Sequence, residues 1–542
     1  MEGAIFYLYI LGAVLATFAR IWLLMGVSIL IALIMGILAA RVRSAGAIII
    51  PLTNVLQAVP VVSFFPIILV FFLVRVPGGL GIELASDFLI ITALVWNLIL
   101  GVYEAVSHIP EHFDNVGRVY RISLWSKIKK LYMPASYPTI VSNIMPSFAS
   151  GLFYITLSEV IAIGSRTYQV FGVGGIAQEL VASYNFGGVL VLLGMLVVGI
   201  SLNFYFIINP LLKRTEKYTF DTTAAIESRE ERRIRENVFL SNISRRVNQV
   251  VNTSVSAVTA INRFMNPRSR RERRRSQFPI PERSLNIVVG LLLVASLSTI
   301  VYLIARSGFA EAFTSYLLNI GFIKSLIIGV SYDLLRVLIV FALSLVTMVP
   351  LAMYFGNKGQ KSKMSTGVFQ ILYSIPAPIF YPLIVVFLTP FLAKYMGADL
   401  AFEVNVIIIT FLSAAAYIFF NVYGAVRAIP TELKTVTKVF GLKRSRITRY
   451  LTFPASIPAL ITGSMAAIGS YWGGLMVGEY TVVGDTHYSV STGLMAMLDK
   501  AIATNNLLEA DAIDIFMVVI IVAISFLLFR RLYSYSKRKY TY

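Results

Sequence analysis

Apolar residues in this chain gather in runs of about 20, the length that carries an α-helix across a hydrocarbon layer of ~30 Å. In the first half the runs predict helices near 9–40, 48–75, 84–103, 138–162 and 188–210. In the second half they predict helices near 285–305, 325–355, 364–392, 403–423, 455–480 and 508–530. The expectation is an all-α polytopic membrane protein with eleven spans, the first half lacking the opening helix of the second. Arg20 precedes Arg41 by 21 residues, about 31 Å along a helix, so an inner Arg41 places Arg20 at the outer interface. The residues before Arg20 are then an outer extension. If they form a short span of their own, the count is twelve.

Composition strengthens this reading. The chain is 57% apolar and only 14% charged, against roughly a quarter charged in soluble proteins, and its mean hydropathy is +0.77. With no cysteine, disulfides, thiolate metal sites and cysteine nucleophiles are excluded. The opening MEGAIFYLYI has neither a basic segment nor a small-residue cleavage site, so the N-terminus is expected to be retained.

The net charge of +20 is unevenly placed. Between Leu211 and Ser284 stand 17 Lys and Arg against 8 Asp and Glu, with RSRRERRR at Arg268 to Arg275. Such a tract could serve a nucleic acid, but basic residues beside spans mark the cytoplasmic side, and no nucleic-acid partner is expected. Arg41, Arg43, Lys358 to Lys363 and the C-terminal RRLYSYSKRKY fit the same rule, giving an outside N-terminus with the linker and C-terminus inside. Within the linker, Ile243, Val247, Val251, Val255, Val258, Ile261 and Phe264 recur at helical spacing beside Arg245, Arg246 and Arg263. This predicts an amphipathic helix on membrane lipid.

One motif suggests a different chemistry. His108, Glu111 and His112 spell H-x-x-E-H, the inverted zinc-protease signature. The rest of the chain argues against a metal there. Slid along itself until Glu159 falls on Glu479, the chain also brings GVYEAVSHIPEHFDNVGRVY onto NVYGAVRAIPTELKTVTKVF and KLYMPASYP onto RYLTFPASIP. With the offset four positions shorter, Arg20 falls on Arg336, Pro60 on Pro376 and Pro66 on Pro382. The chain is a tandem duplication: residues 1–210, a linker 211–284, and residues 285–542. His108 falls on Ala428 and His112 on Glu432 while the Ile-Pro between them is kept. The repeat preserves a backbone shape and discards the supposed ligands, and Pro110 disfavours one continuous helix.

The retained loop, an Ile-Pro opening, a basic middle and a Pro-Ala-Ser-x-x-Pro exit, resembles the cytoplasmic coupling loop of ABC importer permeases of the nitrate, sulfonate and taurine branch. Ile109, Pro110, Val116, Arg121 and Pro134 in the first loop fall on Ile429, Pro430, Val436, Gly441 and Pro454 in the second, while Glu111 falls on Thr431, one position before Glu432. The family's Glu-Ala-Ala is replaced by Asn115-Val116-Gly117 and by Thr435-Val436-Thr437, and its loop glycine is kept only at Gly441. The resemblance implies a permease rather than an enzyme, carrying a small anion such as nitrate, sulfonate or taurine. It implies two ATPase subunits that hold ATP and Mg, and an outside binding protein, with no cofactor in this chain. The linker helix could pack on such an ATPase instead of lipid. The absence of a G-x-x-x-x-G-K-[ST] agrees with an external ATPase, since GNKGQKSK at Gly356 to Lys363 has the wrong spacing.

Charges inside a membrane are costly and mark function. Glu159 and Glu479 precede the Gly-rich segments FGVGGIAQEL and SVSTGLMAML, and with Arg20 and Arg336 they are the candidate pathway residues. A bare carboxylate repels an anion, so pairing with Arg20 or Arg336, or a gating role, is expected. Two other classes fit eleven or twelve spans: an ion-driven secondary transporter, and the metalloprotease that the histidines would require.

Overall fold

The computed structural model describes residues 2–58, 78–109, 120, 122–163, 166–215, 314–316, 318–358, 363–429, 436–437, 439–484, 486–504 and 506–524, with isolated positions at 68, 72, 76, 113 and 433. Outside them lie Pro110, Glu111, Val116, Arg121, Pro430, Glu432, the amphipathic linker helix and the expected span 285–305.

In the first half the helices are α1 (Glu2–Arg41), α2 (Arg43–Ala58), α3 (Gly79–Ser107), α4 (Leu124–Ser158), α5 (Val173–Ala182) and α6 (Phe186–Thr215). In the second they are α7 (Ile320–Asn357), α8 (Lys363–Tyr373), α9 (Ala377–Met396), α10 (Ala398–Arg427), α11 (Ser445–Glu479), α12 (Leu494–Ala503) and α13 (Leu507–Ile524). Among the described residues, eight helices are long and apolar enough to cross a membrane.

The first helix shows how the sequence builds them. Ile10, Ala13, Val14, Thr17, Ile21, Leu24, Met25 and Ser28 recur every three or four residues and are buried, whereas Leu8, Leu11, Leu15, Leu23 and Leu30 are exposed on the other face. An apolar outer face is what lipid requires, and a stripe with small and hydroxyl side chains lets neighbouring helices approach. The helix is continuous over 40 residues, so the segment before Arg20 belongs to the same helix and is not a separate one.

Two expected helices take another shape. The run 364–392 is broken between α8 and α9 at Ser374–Pro376, because Pro376 has no amide proton to continue the ladder and instead opens α9. The runs expected to end at 162 and 480 turn into short antiparallel hairpins, β1 (Val160–Ile163) with β2 (Arg166–Gln169) and β3 (Tyr480–Val483) with β4 (Thr486–Ser489). Val160–Ile163 and Tyr480–Val483 are dominated by β-branched residues, which favour a pleated strand. The hairpins lie at the ends of α4 and α11 opposite the loop at Ile109 and the loop at Ile429.

The duplication is visible in the backbone. Helical π-turns at Ile128–Tyr132 and Thr448–Thr452 occupy equivalent positions in the two repeats, directly before Pro134 and Pro454. The hairpins follow in the same register, and α5 and α12 differ from it by the one residue added between β4 and α12. The halves exchange elements: α2 packs on α11 and α13, while α8 and α9 pack on α6, and α9 also on α4. Ile379 joins the apolar core of the first half and Phe153 that of the second, so the two cores interlock.

Candidate functional site

Each hairpin is fastened by a buried polar clamp. In the second half, Arg336 from α7 donates from Nη1 to Glu479 Oε1 at 2.9 Å and to Asp333 Oδ1 at 3.1 Å. Its Nε donates to Glu403 Oε2 at 2.8 Å and its Nη2 to the Thr492 carbonyl at 2.7 Å. The amides of Leu494 and Ala496, in the first turn of α12, donate to Asp333 Oδ2 at 3.0 Å and Glu479 Oε2 at 3.1 Å. Carboxylates at a helix N-terminus meet free amides and the positive end of the dipole.

The first half repeats the arrangement more loosely. Arg20 pairs with Glu83, with Asp87 at 3.5 Å and with Glu159 at 3.6 Å. Thr17, which stands where the second half has Asp333, donates to Glu159 at 3.0 Å and accepts from the Val173 amide at 3.0 Å. Glu159 also accepts from the Gly174 amide at 2.6 Å. Gly172 and Gly493 make room for this contact, since a Cβ there would lie 2.0 Å from Glu159 Oε1 and 2.1 Å from Glu479 Oε2.

The pairing expected for Glu159 and Glu479 is therefore present, and Arg20 and Arg336 are each held among three carboxylates. Glu159 and Glu479 are fully buried. Sequence reading found the arginine and glutamate of each clamp from the repeat. It missed Glu83 and Glu403, although these stand in the same register as Glu159 and Glu479, which was the available signal.

None of the four pathway candidates lines the space between the halves. Two adjoining cavities of about 50 and 40 Å³ lie there. Both are bordered by Ser150 and Tyr154 of α4, Tyr417 of α10 and Ser470 of α11. Gln57, Trp96 and Asn97 close the second, where Gln57 Nε2 donates to Asn97 Oδ1 at 2.6 Å. Ser150 and Ser470 are repeat partners, as are Asn97 and Tyr417. The Tyr417 hydroxyl contacts Ser150 and reaches Ser470, joining the halves at the centre. Among the described residues, no charged side chain borders either cavity. Sequence reading missed this group because neutral residues drawn from separate helices carry no periodic or charge signal.

At the opposite end, Ile109 and Ile429 are buried and root their loops in the bundle. Beyond Ile429, Val436, Val439 and Phe440 are exposed, and Gly441 has φ +58°. The Leu442 amide donates to the Thr437 carbonyl at 3.1 Å, so Gly441 closes the short helix in a left-handed cap. In the first-half loop Phe113, Tyr120 and Trp125 are exposed. His108 is exposed, its Nδ1 against the Glu104 carbonyl at 2.7 Å.

Residues 28–214 and 348–542 each match the family described as binding-protein-dependent transport system inner membrane component. The bicarbonate transport system permease protein CmpB of Synechococcus elongatus is 26% identical over 190 residues, 34% of this chain and 65% of that protein. The nitrate import permease protein NrtB of Leptolyngbya laminosa is 26% identical over 151 residues, 27% of this chain and 52% of that protein. NrtB of a Synechocystis species is 26% identical over 166 residues, 31% of this chain and 56% of that protein. The chain thus spans just under two thirds of the length of the bicarbonate relative and about half of the nitrate relatives. With two matched copies covering most of its length, two interlocked helical repeats and no enzymatic role in the family, the chain belongs to the inner membrane permease components of binding-protein-dependent transport systems.

Proposed function

We propose that this chain forms both halves of the translocation pathway of an ATP-driven importer for a small oxyanion. The observation that carries the reading is the reciprocal exchange of α2 and of α8 with α9 between the two repeats, around a cavity to which both contribute. Two separate permease subunits would make such an interface with each other; here one chain closes it. The bicarbonate and nitrate permeases among its relatives support an oxyanion as cargo.

In this reading two ATPase subunits dock on the loops that begin at Ile109 and Ile429, which carry exposed apolar residues and the exposed Lys129, Lys130, Lys443, Arg446 and Arg449. ATP and Mg belong to those subunits. Loop movement reaches the cavity through α4 and α11, the helices that Pro134 and Pro454 open, as a lever does. A binding protein delivers the solute at the hairpin end, outside, where the N-terminus also lies; the linker and C-terminus are cytoplasmic. Arg20 with Glu159 and Arg336 with Glu479 act as gate clamps that hold the hairpins shut, rather than as contacts for the anion.

Affinity purification of the detergent-solubilised chain from its own cells, followed by native mass measurement, tests the assembly. One copy of the chain with two ATPase subunits is the expected mass. A chain recovered free of ATPase, whose transport follows a proton or sodium gradient, would make it a secondary transporter.

A further inference from the structure

The clamps concentrate buried charge at the hairpins, yet the described wall of the space between the halves carries hydroxyl, amide and indole groups and no charge. Ser150 and Ser470 face it from repeat-related positions, with Tyr154 and Trp96 beside them and the Gln57–Asn97 pair behind. Indole N–H only donates, and serine and tyrosine hydroxyls donate readily. The lining therefore offers donors to an acceptor-rich solute, and its described residues present no carboxylate for a cation. In this conformation the Tyr417 hydroxyl fills the gap between the two serines.

Size and charge narrow the occupant. The cavity that Trp96 shares with Ser150, Ser470 and Tyr154 is about 40 Å³. Roughly 10–15 Å³ of such volume holds one water, so the space takes about three to four water-sized groups. The self-energy of a desolvated ion grows as the square of its charge, so a dianion pays about four times the penalty of a monoanion. With no Lys, Arg or His among the described residues of the wall, nothing there offsets the difference.

We propose that Ser150, Ser470, Tyr154 and Trp96 form a resting site for a singly charged oxyanion of about four heavy atoms, and that Tyr417 is the plug such an ion displaces. The proposal rests on the permease reading above and adds the charge and size of the solute and the residues that select it. Selection is by neutral donors in a confined space, which rejects doubly charged oxyanions without any editing step.

The test uses the full chain in lipid nanodiscs, without ATPase, titrated with sodium nitrate while tryptophan emission is read. A saturable change that disappears in Trp96→Phe is expected. Ser150→Ala with Ser470→Ala should weaken nitrate at least tenfold, Ser150→Thr with Ser470→Thr should restore most of the loss, and Tyr417→Phe, which removes the competing hydroxyl, should tighten binding. A merely structural role for these residues would weaken binding in Tyr417→Phe as well. Sodium sulfate at matched ionic strength should not compete. Equal competition by sulfate, an unchanged affinity in the double alanine variant, or no saturable nitrate response in the wild type would overturn the proposal. Since no ATPase is present, those failures leave the importer reading standing, and its own failure would appear in the purification experiment instead.

Discussion

Replacing Arg336 by methionine should loosen the second hairpin far more than Arg20→Met loosens the first. The Arg336 side chain is 4% exposed and Glu479 and Asp333 are fully buried, so their compensation comes from this guanidinium and two amides. Removing one partner from a buried ion pair costs about 3–5 kcal/mol, because a desolvated charge is left behind. Arg20 is 18% exposed, two of its contacts are long at 3.5 and 3.6 Å, and its third partner, Glu83, is 40% exposed. Glu159 also keeps Thr17 and the Gly174 amide. Hydrogen bonds and ion pairs of that kind are worth about 1–2 kcal/mol. At about 1.4 kcal/mol per factor of ten, opening should rise about 100-fold or more in Arg336→Met and about tenfold in Arg20→Met. Hydrogen exchange of peptides spanning Leu494 to Ala503 and Val173 to Ala182, in nanodiscs, reads the two openings separately. Arg336→Lys, which keeps the charge but loses the planar fork, should fall between wild type and Arg336→Met. Equal acceleration of both segments, or none in Arg336→Met, would refute the argument that the second clamp is the tighter lock.

Gly493→Ala places a Cβ 2.1 Å from Glu479 Oε2 and should lower reconstituted uptake at least tenfold with normal insertion, whereas Gly194→Ala, with nothing within 4 Å, should leave uptake unchanged. Gly441→Arg forces a side chain into a left-handed position that costs roughly 1–2 kcal/mol and bars close approach of a partner backbone. It should reduce transport and stimulation of ATP hydrolysis far more than Arg121→Ala does, with both variants inserting normally; equal losses would mean equivalent loops. His108→Ala and His112→Ala should leave uptake and the metal content of the purified protein as in the wild type, and zinc lost on either change would revive the metal site.

Legibility in the sequence followed the strength of the physical signal. Spans 84–103 and 403–423 were plain because no charge interrupts them after Asp87 and Glu403, and they appear as α3 and α10. The offset joining Glu159 to Glu479 and Arg20 to Arg336 was plain because charged residues are rare inside spans. The hairpins were not legible, since Val-Ile-Ala-Ile at 160–163 continues the apolar run of α4 and a short run does not reveal whether its period is that of a helix or a strand. The break at Pro376 was marked by the proline, yet the apolar run on both sides hid it. Least legible was the cavity. Its serines, tyrosines and amides come from positions between Gln57 and Ser470, and only folding brings them to one place. The left-handed turn at Gly441 lies between these extremes: the family resemblance pointed to the glycine, and the Leu442 to Thr437 bond supplies its mechanical reason.

The central claim is that one chain supplies both halves of an ATP-driven pathway. Its most direct test is uptake of labelled nitrate or bicarbonate into vesicles reconstituted with this chain, its co-purified ATPase and its binding protein. The account predicts accumulation that requires ATP and all three components, stops with a hydrolysis-deficient ATPase, and persists when proton and sodium gradients are collapsed. Uptake by the chain alone, driven by either gradient and indifferent to ATP, would contradict it.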